Sequence, residues 1–322
     1  MEDNEGQVIF VKAPEDRWCD RKARYASVNP EGKKNPILLI HGFGASIEHW
    51  RDNVEQLAAD RPVYAIDLLG FGFSEQPDFN VWGGHVWAAQ ICDFIKEVIL
   101  PASFSKQVIL AGNSLGGYSA MLAAGNAGAS IGGLVLVNSA GPLAEDGNVE
   151  PYAGLPQDSI LSEMDAPAPP YTLVDRVQEL IKRMISFGGF LLTREARIAS
   201  TLALVYTDDK SRIDDDLVDL IKRPALQPNA FEVFFQTTIG GRGGKRYVTV
   251  NTLSNFVEAR KIPTLLLWGE NDPWITKSRA DRTLQLMPSA EYIGLKAGHC
   301  PHDEVPQLFN EKLLGWLTAK SM

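Results

Sequence analysis

Short runs of consecutive apolar residues recur along the chain, and each ends in a polar or glycine-rich turn. They are Pro36–Ile40, Val63–Ile66 before Asp67, Gln107–Ala111, Gly133–Val137 and Thr264–Trp268. A strand covered on both faces has this uninterrupted character, whereas a half-exposed strand alternates. Helix-length stretches separate the runs. The pattern therefore predicts an α/β fold, with a mostly parallel central sheet flanked by helices. The ends of parallel strands gather on one edge of such a sheet, and ligands bind along that edge.

The spacing breaks once. After Val137 comes a stretch rich in Pro, Gly and Ala (141–170), then apolar positions at helical spacing: Leu173, Val177, Leu180, Ile181, Met184 and Ile185. Ile213, Leu217, Leu220 and Ile221 repeat that spacing. Asp214–Asp216 stand at the start of this second helix, where its dipole favours negative charge, and Pro224 predicts its stop. Strand character resumes at Lys261–Pro263. The chain thus divides into a sheet domain, residues 1–142 and 263–322, and a helical cap inserted at 143–262, with Gly240–Gly244 as a mobile loop within the cap.

Composition narrows the function. Lys+Arg 31 against Asp+Glu 40 gives a net charge of −9 over 322 residues. Nothing draws such a chain to phosphate backbones, so no nucleic-acid partner is expected. No stretch reaches the ~18 consecutive apolar residues of a membrane span. The acidic start, Met1–Gln7, resembles neither a secretory signal nor an arginine-rich transit peptide, so the sequence reads as soluble. Cys19, Cys92 and Cys300 are too scattered for a disulfide framework or a thiolate metal site.

The chemistry concentrates in Gly112-Asn113-Ser114-Leu115-Gly116, set between the Gln107–Ala111 strand and the helix-forming stretch Tyr118–Ala124. A sharp strand-to-helix turn must lack side chains at its flanks, and it then presents Ser114 Oγ at the top of the sheet as a nucleophile. A hydroxyl needs a base, and the base an orienting carboxylate. In elbow-type enzymes the order is Ser, then acid, then His, and only His299 and His302 follow the serine. His299 lies in a loop after a last strand, Ala290–Leu295, and is the expected base; His302 competes from near the start of the next helix. Asp272, after the Thr264 strand, is the expected acid, with Glu270 as its near alternative. The other position for an acid, after the preceding strand, holds Asn138 and Ser139. Phe43 in His41-Gly-Phe-Gly44 and Leu115 would supply the N–H groups of an oxyanion hole. His41 is expected to be structural, and Asp67 to tie down its own loop. His299, His302, Asp303 and Glu304 fall short of a catalytic zinc site, so no metal is expected.

His41–Gly44, Asp67-x-x-Gly70-x-Gly72-x-Ser74, Gly112–Gly116, Gly269–Pro273 and Gly298-His299 together resemble the α/β-hydrolase superfamily, in family order across nearly the whole chain. His41–Ser46 with Trp50-Arg51, Tyr64–Gly72, Trp87-x-x-Gln90-x-x-Asp93-Phe94, Asp214–Leu217 with Arg223-Pro224, and Gly298–Pro306 are similar to its phototroph branch containing pheophytinase and chlorophyll dephytylase. The resemblance implies an α/β-hydrolase fold and a serine hydrolase that releases phytol from the phytyl ester of chlorophyll or pheophytin without a cofactor. It implies a chloroplast location in a eukaryotic phototroph and a cytoplasmic one otherwise. Phe187, Phe190 and Phe234 are the expected substrate contacts. Leu191, Leu192, Phe231 and Phe235 could extend such a channel, or all of these could form the cap's own small core. The partner is then a small hydrophobic ester, with transient membrane contact to reach it; oligomeric state is left open. Another reaction on the same triad (C–C bond hydrolysis, a lyase step or acyl transfer) and a slow-turnover ligand receptor remain as alternatives.

Overall fold

Eight strands form one sheet in the computed structural model, which describes residues 8–11, 21–77, 83–127, 130–144, 182–183, 195–240 and 248–322. They are β1 (Val8–Val11), β2 (Arg21–Val28), β3 (Ile37–Ile40), β4 (Val63–Ile66), β5 (Val108–Asn113), β6 (Ile131–Val137), β7 (Thr264–Gly269) and β8 (Glu291–Leu295). Their order across the sheet is β1-β2-β4-β3-β5-β6-β7-β8. β1 and β2 run antiparallel to their neighbours, and the pairs from β4 to β8 are parallel.

Alternate residues of each parallel strand feed two separate cores. Leu38, Ile40, Val108, Leu110, Leu266 and Trp268 point into one, and Ile37, Leu39, Ile109, Ala111, Leu265 and Leu267 into the other. Each of the Val, Leu and Ile side chains, removed from water, contributes about 1.5–3 kcal/mol. This two-sided burial is why the runs are apolar at every position. β2 instead alternates, with Ala23 and Tyr25 buried while Lys22 is exposed.

Among the described residues, the α-helices of four or more residues are α1 (Val54–Ala58), α2 (Gly84–Phe94), α3 (Leu115–Ala127), α4 (Glu195–Val205), α5 (Asp215–Ala225), α6 (Ala230–Phe235), α7 (Val250–Ala259), α8 (Lys277–Leu286), α9 (Pro301–Glu304) and α10 (Pro306–Ala319). α2, α3 and α7 cover the first face, through residues such as Trp87, Met121 and Leu253. α1 and α10 cover the second, through Leu57, Phe309, Leu313 and Trp316.

Between β6 and β7 the described chain is helical. Ile198, Leu202 and Val205 of α4 close a small core with Tyr206, Leu217 and Cys300. α7, which falls inside the stretch assigned to the cap, buries Val250, Leu253 and Val257 in the sheet's own core. α5 does not stop before Pro224 but runs through it to Ala225. Proline is tolerated there because it removes only one late N–H, and the turn closes with tighter bonds from Leu226 N to Arg223 O and Gln227 N to Pro224 O, both 3.2 Å. Gly240 ends a π-helical turn (Gln236–Gly240). The remainder of the Gly240–Gly244 segment, and the helix expected over 173–185 apart from residues 182–183, lie outside the described residues.

Register fixes what shares the ligand-binding edge. Ile40 pairs with Gly112, Asn113 with Val137, and Val137 with Leu267. The turns after β3, β5, β6 and β7 therefore leave the sheet side by side.

Candidate active site

Ser114 occupies the turn between β5 and α3 with φ 53°, in the left-handed region that strains a residue with a Cβ. Backbone hydrogen bonds hold it there. Ser114 N–H donates to Val137 O (2.9 Å), and Ser114 O accepts from Gly117 N (3.1 Å) and Ala140 N (2.9 Å). The flanking glycines are required by contact. A Cβ on Gly112 would fall on the backbone of Gly116 and Gly117, and one on Gly116 would lie 2.8 Å from the Ile40 carbonyl carbon. Gly116→Ala should therefore lower unfolding free energy by about 3 kcal/mol, read from the denaturant midpoint, because backbone on both sides cannot retreat. An unchanged midpoint would show that the turn opens freely.

His299 and Asp272 meet behind the turn. His299 Nδ1 lies 2.7 Å from Asp272 Oδ2, and the carboxylate is fully buried. Asp272 Oδ1 accepts from Trp274 N–H (2.8 Å). Burial alone would raise this carboxyl. The His299 hydrogen bond and charge, with the N–H groups of Ile275 and Trp274, outweigh burial and hold it below the ordinary carboxylate value. Glu270 turns away and accepts from Tyr292 OH at 3.0 Å.

The backbone of His299 is fixed from three directions. Its N–H donates to Val205 O at the end of α4 (2.9 Å), and its carbonyl accepts from Asn113 Nδ2 (2.9 Å). Gly298 N–H beside it donates to Glu304 Oε2 (2.6 Å), and the other Glu304 oxygen accepts the N–H groups of Asp208 and Asp209.

Ser114 and His299 open onto one cavity of about 540 Å³. Gly42, Phe43, Phe71, Ile198, Leu202, Val205, Ile221, Pro224, Val233, Phe234, Trp274 and Ile275 form much of its wall, with Gln76, Thr201, His49 and Asn113 as further polar members. Among the described residues lining it there is no Asp, Glu, Lys or Arg. Ser114 and His299 thus both line this cavity, with no hydrogen bond from Ser114 Oγ among the described residues. Leu115 is the first residue of α3, where an N–H has no intrahelical partner. Phe43 sits in the facing turn, 45% exposed, its ring 6.2 Å from that of Phe234. Phe235 is buried beneath the Arg183 guanidinium, and neither it nor Phe231 lines the cavity. Phe187, Phe190, Leu191 and Leu192 lie outside the described residues.

The other histidines have separate roles. Leu68 N–H donates to His41 Nε2 (3.0 Å), which leaves the proton on Nδ1 to donate to Gly42 O (2.7 Å). This buried ring braces the turn before Phe43. Asp67 does more than hold its own loop: it accepts from Phe73 N and Ile47 N (both 2.8 Å) and from Arg24 Nε (2.7 Å). His302 is fully buried in α9, its ring centroid 4.1 Å from that of Trp50 and 4.6 Å from that of His49. Burial, with the charges of His49 and His299, pushes it well below the ordinary histidine value.

Beside it, Asp303 accepts from Arg51 Nε (2.8 Å), Arg212 Nη2 (3.2 Å) and Tyr206 OH (2.7 Å), and Tyr206 OH in turn lies 3.0 Å from His49 Nε2. Two guanidinium groups and a phenol thus engage the Asp303 carboxylate. Among the described residues no cluster is arranged to hold an ion.

Sequence reasoning did not find the amide contacts of Asn113 and Asn138, nor Gln76, Thr201 and Trp274 in the cavity wall. No local pattern marks them, because each depends on which turns the sheet brings together.

Comparison with known proteins bears on the family and the fold. A family profile described as the alpha/beta hydrolase family matches residues 37–312. The chain is similar to a chloroplastic pheophytinase of Arabidopsis thaliana, 26% identical over 315 residues, covering 87% of this chain and 60% of that protein. It therefore spans about 60% of that relative's length. A 2-hydroxy-6-oxo-6-(2'-aminophenyl)hexa-2,4-dienoic acid hydrolase of Metapseudomonas resinovorans is 26% identical, covering 90% of this chain and 86% of that one. The Homo sapiens 1-acylglycerol-3-phosphate O-acyltransferase ABHD5 is 34% identical, covering 87% and 76%. Among solved structures, a thermophilic esterase from Thermogutta terrifontis superposes with a TM-score of 0.69 at 18% identity, covering 99% of this chain and all of that one.

Proposed function

The chain belongs to the alpha/beta hydrolase family, and within it we propose a serine ester hydrolase acting on a long, uncharged, hydrophobic ester such as the phytyl ester of chlorophyll or pheophytin. Ser114 Oγ attacks the ester carbonyl carbon while His299 Nε2 takes its proton. Asp272 holds the ring through Nδ1 and stabilises the imidazolium. The N–H groups of Phe43 and Leu115 receive the oxyanion; losing one such donor typically costs about 10²–10³ in rate. Collapse expels the alcohol, protonated by His299. Water, deprotonated by the same ring, then cleaves the acyl-enzyme and releases the acid. No cofactor enters the balance.

The observation that carries the substrate class is the wall of the cavity onto which Ser114 and His299 open: apolar, with Phe43, Phe71 and Phe234, and without an ionised partner among its described residues. An anionic substrate group placed there would be desolvated without compensation. An isoprenoid or fatty alcohol gains about 0.8 kcal/mol for each CH₂ it buries. That argues against a dienoic acid, the compound in one relative's name, and against a phosphate. Acyl transfer to an uncharged acceptor other than water uses the same acyl-enzyme and is the second reading; the ABHD5 relative is named as an acyltransferase, and the phosphate in its name finds no cationic partner among the described residues of this wall. Transient contact with a membrane, and a chloroplast location if the source is a eukaryotic phototroph, belong to the same proposal. Among the described residues no helix is long and apolar enough to cross a membrane.

Incubation with chlorophyll, pheophytin, a neutral long-chain ester and a carboxylate-bearing diketone, scored for phytol and for free acid, tests this. The neutral esters should exceed the diketone in kcat/KM by about 100-fold. Preference for the diketone would reject the ester reading.

A further inference from the structure

We infer that Asn138 is a positioning residue that aims and steadies the Asp272 carboxylate, an inference that rests on the Ser114–His299–Asp272 reading above. Asn138 follows β6, the strand between the one that carries Ser114 and the one that leads to Asp272. Its Nδ2 donates to Asp272 Oδ2 at 2.9 Å, and the same oxygen lies 2.7 Å from His299 Nδ1. The rest of the amide is anchored to the strand that delivers the acid: Oδ1 accepts from Gly269 N–H (2.8 Å) and Nδ2 also reaches Gly269 O (3.1 Å).

The side chain is fully buried, and its backbone has φ 41°. Asparagine is one of the few residues that adopt this left-handed region readily. The amide therefore has a fixed position and a fixed orientation. The end of β7 needs an acceptor for the Gly269 N–H and a donor for its carbonyl, and a carboxamide provides both. With the acceptor assigned to Gly269 N–H, the NH₂ group must face Asp272.

The consequence is a division of the carboxylate. Oδ1 is occupied by Trp274 N–H, and Oδ2 is shared by His299 and Asn138. A carboxylate held at both oxygens cannot rotate away from the imidazole when the ring becomes charged. Charge-assisted hydrogen bonds of this kind are among the stronger ones available. Asn138→Asp would keep the backbone and the Gly269 N–H acceptor but set a second carboxyl group against Oδ2; two such groups cannot both ionise at that separation, so a proton shared between them would neutralise the Asp272 charge that steadies His299.

The test uses the whole protein and a fluorophosphonate probe, whose labelling rate reads the activation of Ser114 without a known substrate, together with kcat and KM on a neutral ester. Asn138→Gly keeps the backbone conformation and removes the amide; Asn138→Asp keeps its shape and exchanges the neutral amide for a carboxyl group that shares a proton with Asp272. Each should slow labelling and lower kcat by about 10–100-fold with KM within about threefold, at an unfolding midpoint showing a folded protein. Asp272→Asn should cost about 10⁴-fold. In that background Asn138→Gly should add less than about threefold, since a residue acting through Asp272 has nothing left to position.

Losses that multiply in full, or a rise in KM with kcat unchanged, would overturn the inference and leave a structural role for Asn138. Unchanged labelling in both single variants would do the same. If Asp272→Asn itself retained activity within tenfold, the triad reading would fall, and this inference with it.

Discussion

Ser114→Ala should lower kcat on any ester the protein cleaves by about 10⁴-fold or more while leaving the fold intact. The substitution removes one oxygen from a residue whose backbone is already held at φ 53° by bonds from Val137, Gly117 and Ala140. Those bonds use main-chain atoms, so alanine inherits the same strain and the same turn. Residual turnover would come from the Phe43 and Leu115 N–H groups and from binding alone, the background that persists in hydrolases stripped of their nucleophile. Intact-mass measurement after fluorophosphonate treatment should show one adduct on the parent protein and none on the variant. A variant that still turns over within tenfold of the parent would mean that water or another side chain attacks the ester.

The second large effect separates two histidines three positions apart. His299→Ala should reduce kcat by about 10⁴-fold, because in the proposed mechanism the imidazole paired with Asp272 accepts the serine proton. His302→Ala should leave kcat within about threefold and instead cost about 2–3 kcal/mol of stability, as expected when a packed ring is cut from a core. His302 fills the space between Trp50, His49 and Phe309, and neither ring nitrogen has a hydrogen-bond partner among the described residues. His302→Leu, which refills part of that volume, should recover much of the loss and stay active. Steady-state kinetics beside urea unfolding decide the matter. An inactive, stable His302→Ala next to an active His299→Ala would exchange the two roles.

The parts of this molecule that sequence exposes are those where local chemistry has little choice. β3, β5 and β7 are buried on both faces, so every position must be apolar and the run stands out. Gly112 and Gly116 face backbone at distances no Cβ survives, so the elbow shows itself as a spacing. β1 and β2 went unpredicted because they are antiparallel strands at the sheet's edge, and the Ala23–Tyr25 alternation in β2 is too brief to separate from a loop. Pro224 misled for a related reason: the rule against proline weakens in a last turn, and its ring is kept there as part of the cavity wall.

The candidate triad was legible because acid and base each follow a strand near the end of the chain. The asparagines were not. Asn113 reaches a carbonyl 186 positions away, and Asn138 shows in the sequence only as a position without an acid. Its function as a donor depends on a left-handed backbone and on which strand lies beside it, neither of which a linear pattern records.

The hydrogen bond from His299 N–H to Val205 O, reinforced by Glu304 on Asp208 and Asp209, bears on how this protein could be rebuilt. Chimeras that transplant the region between β6 and β7 from a homologue, to import its selectivity, would cut the support beneath His299, the base of the proposed mechanism. A donor segment lacking a carbonyl at that spot should yield a well-folded but sluggish hybrid. Retaining host residues 205–212 and exchanging only what precedes them should preserve turnover while the specificity changes.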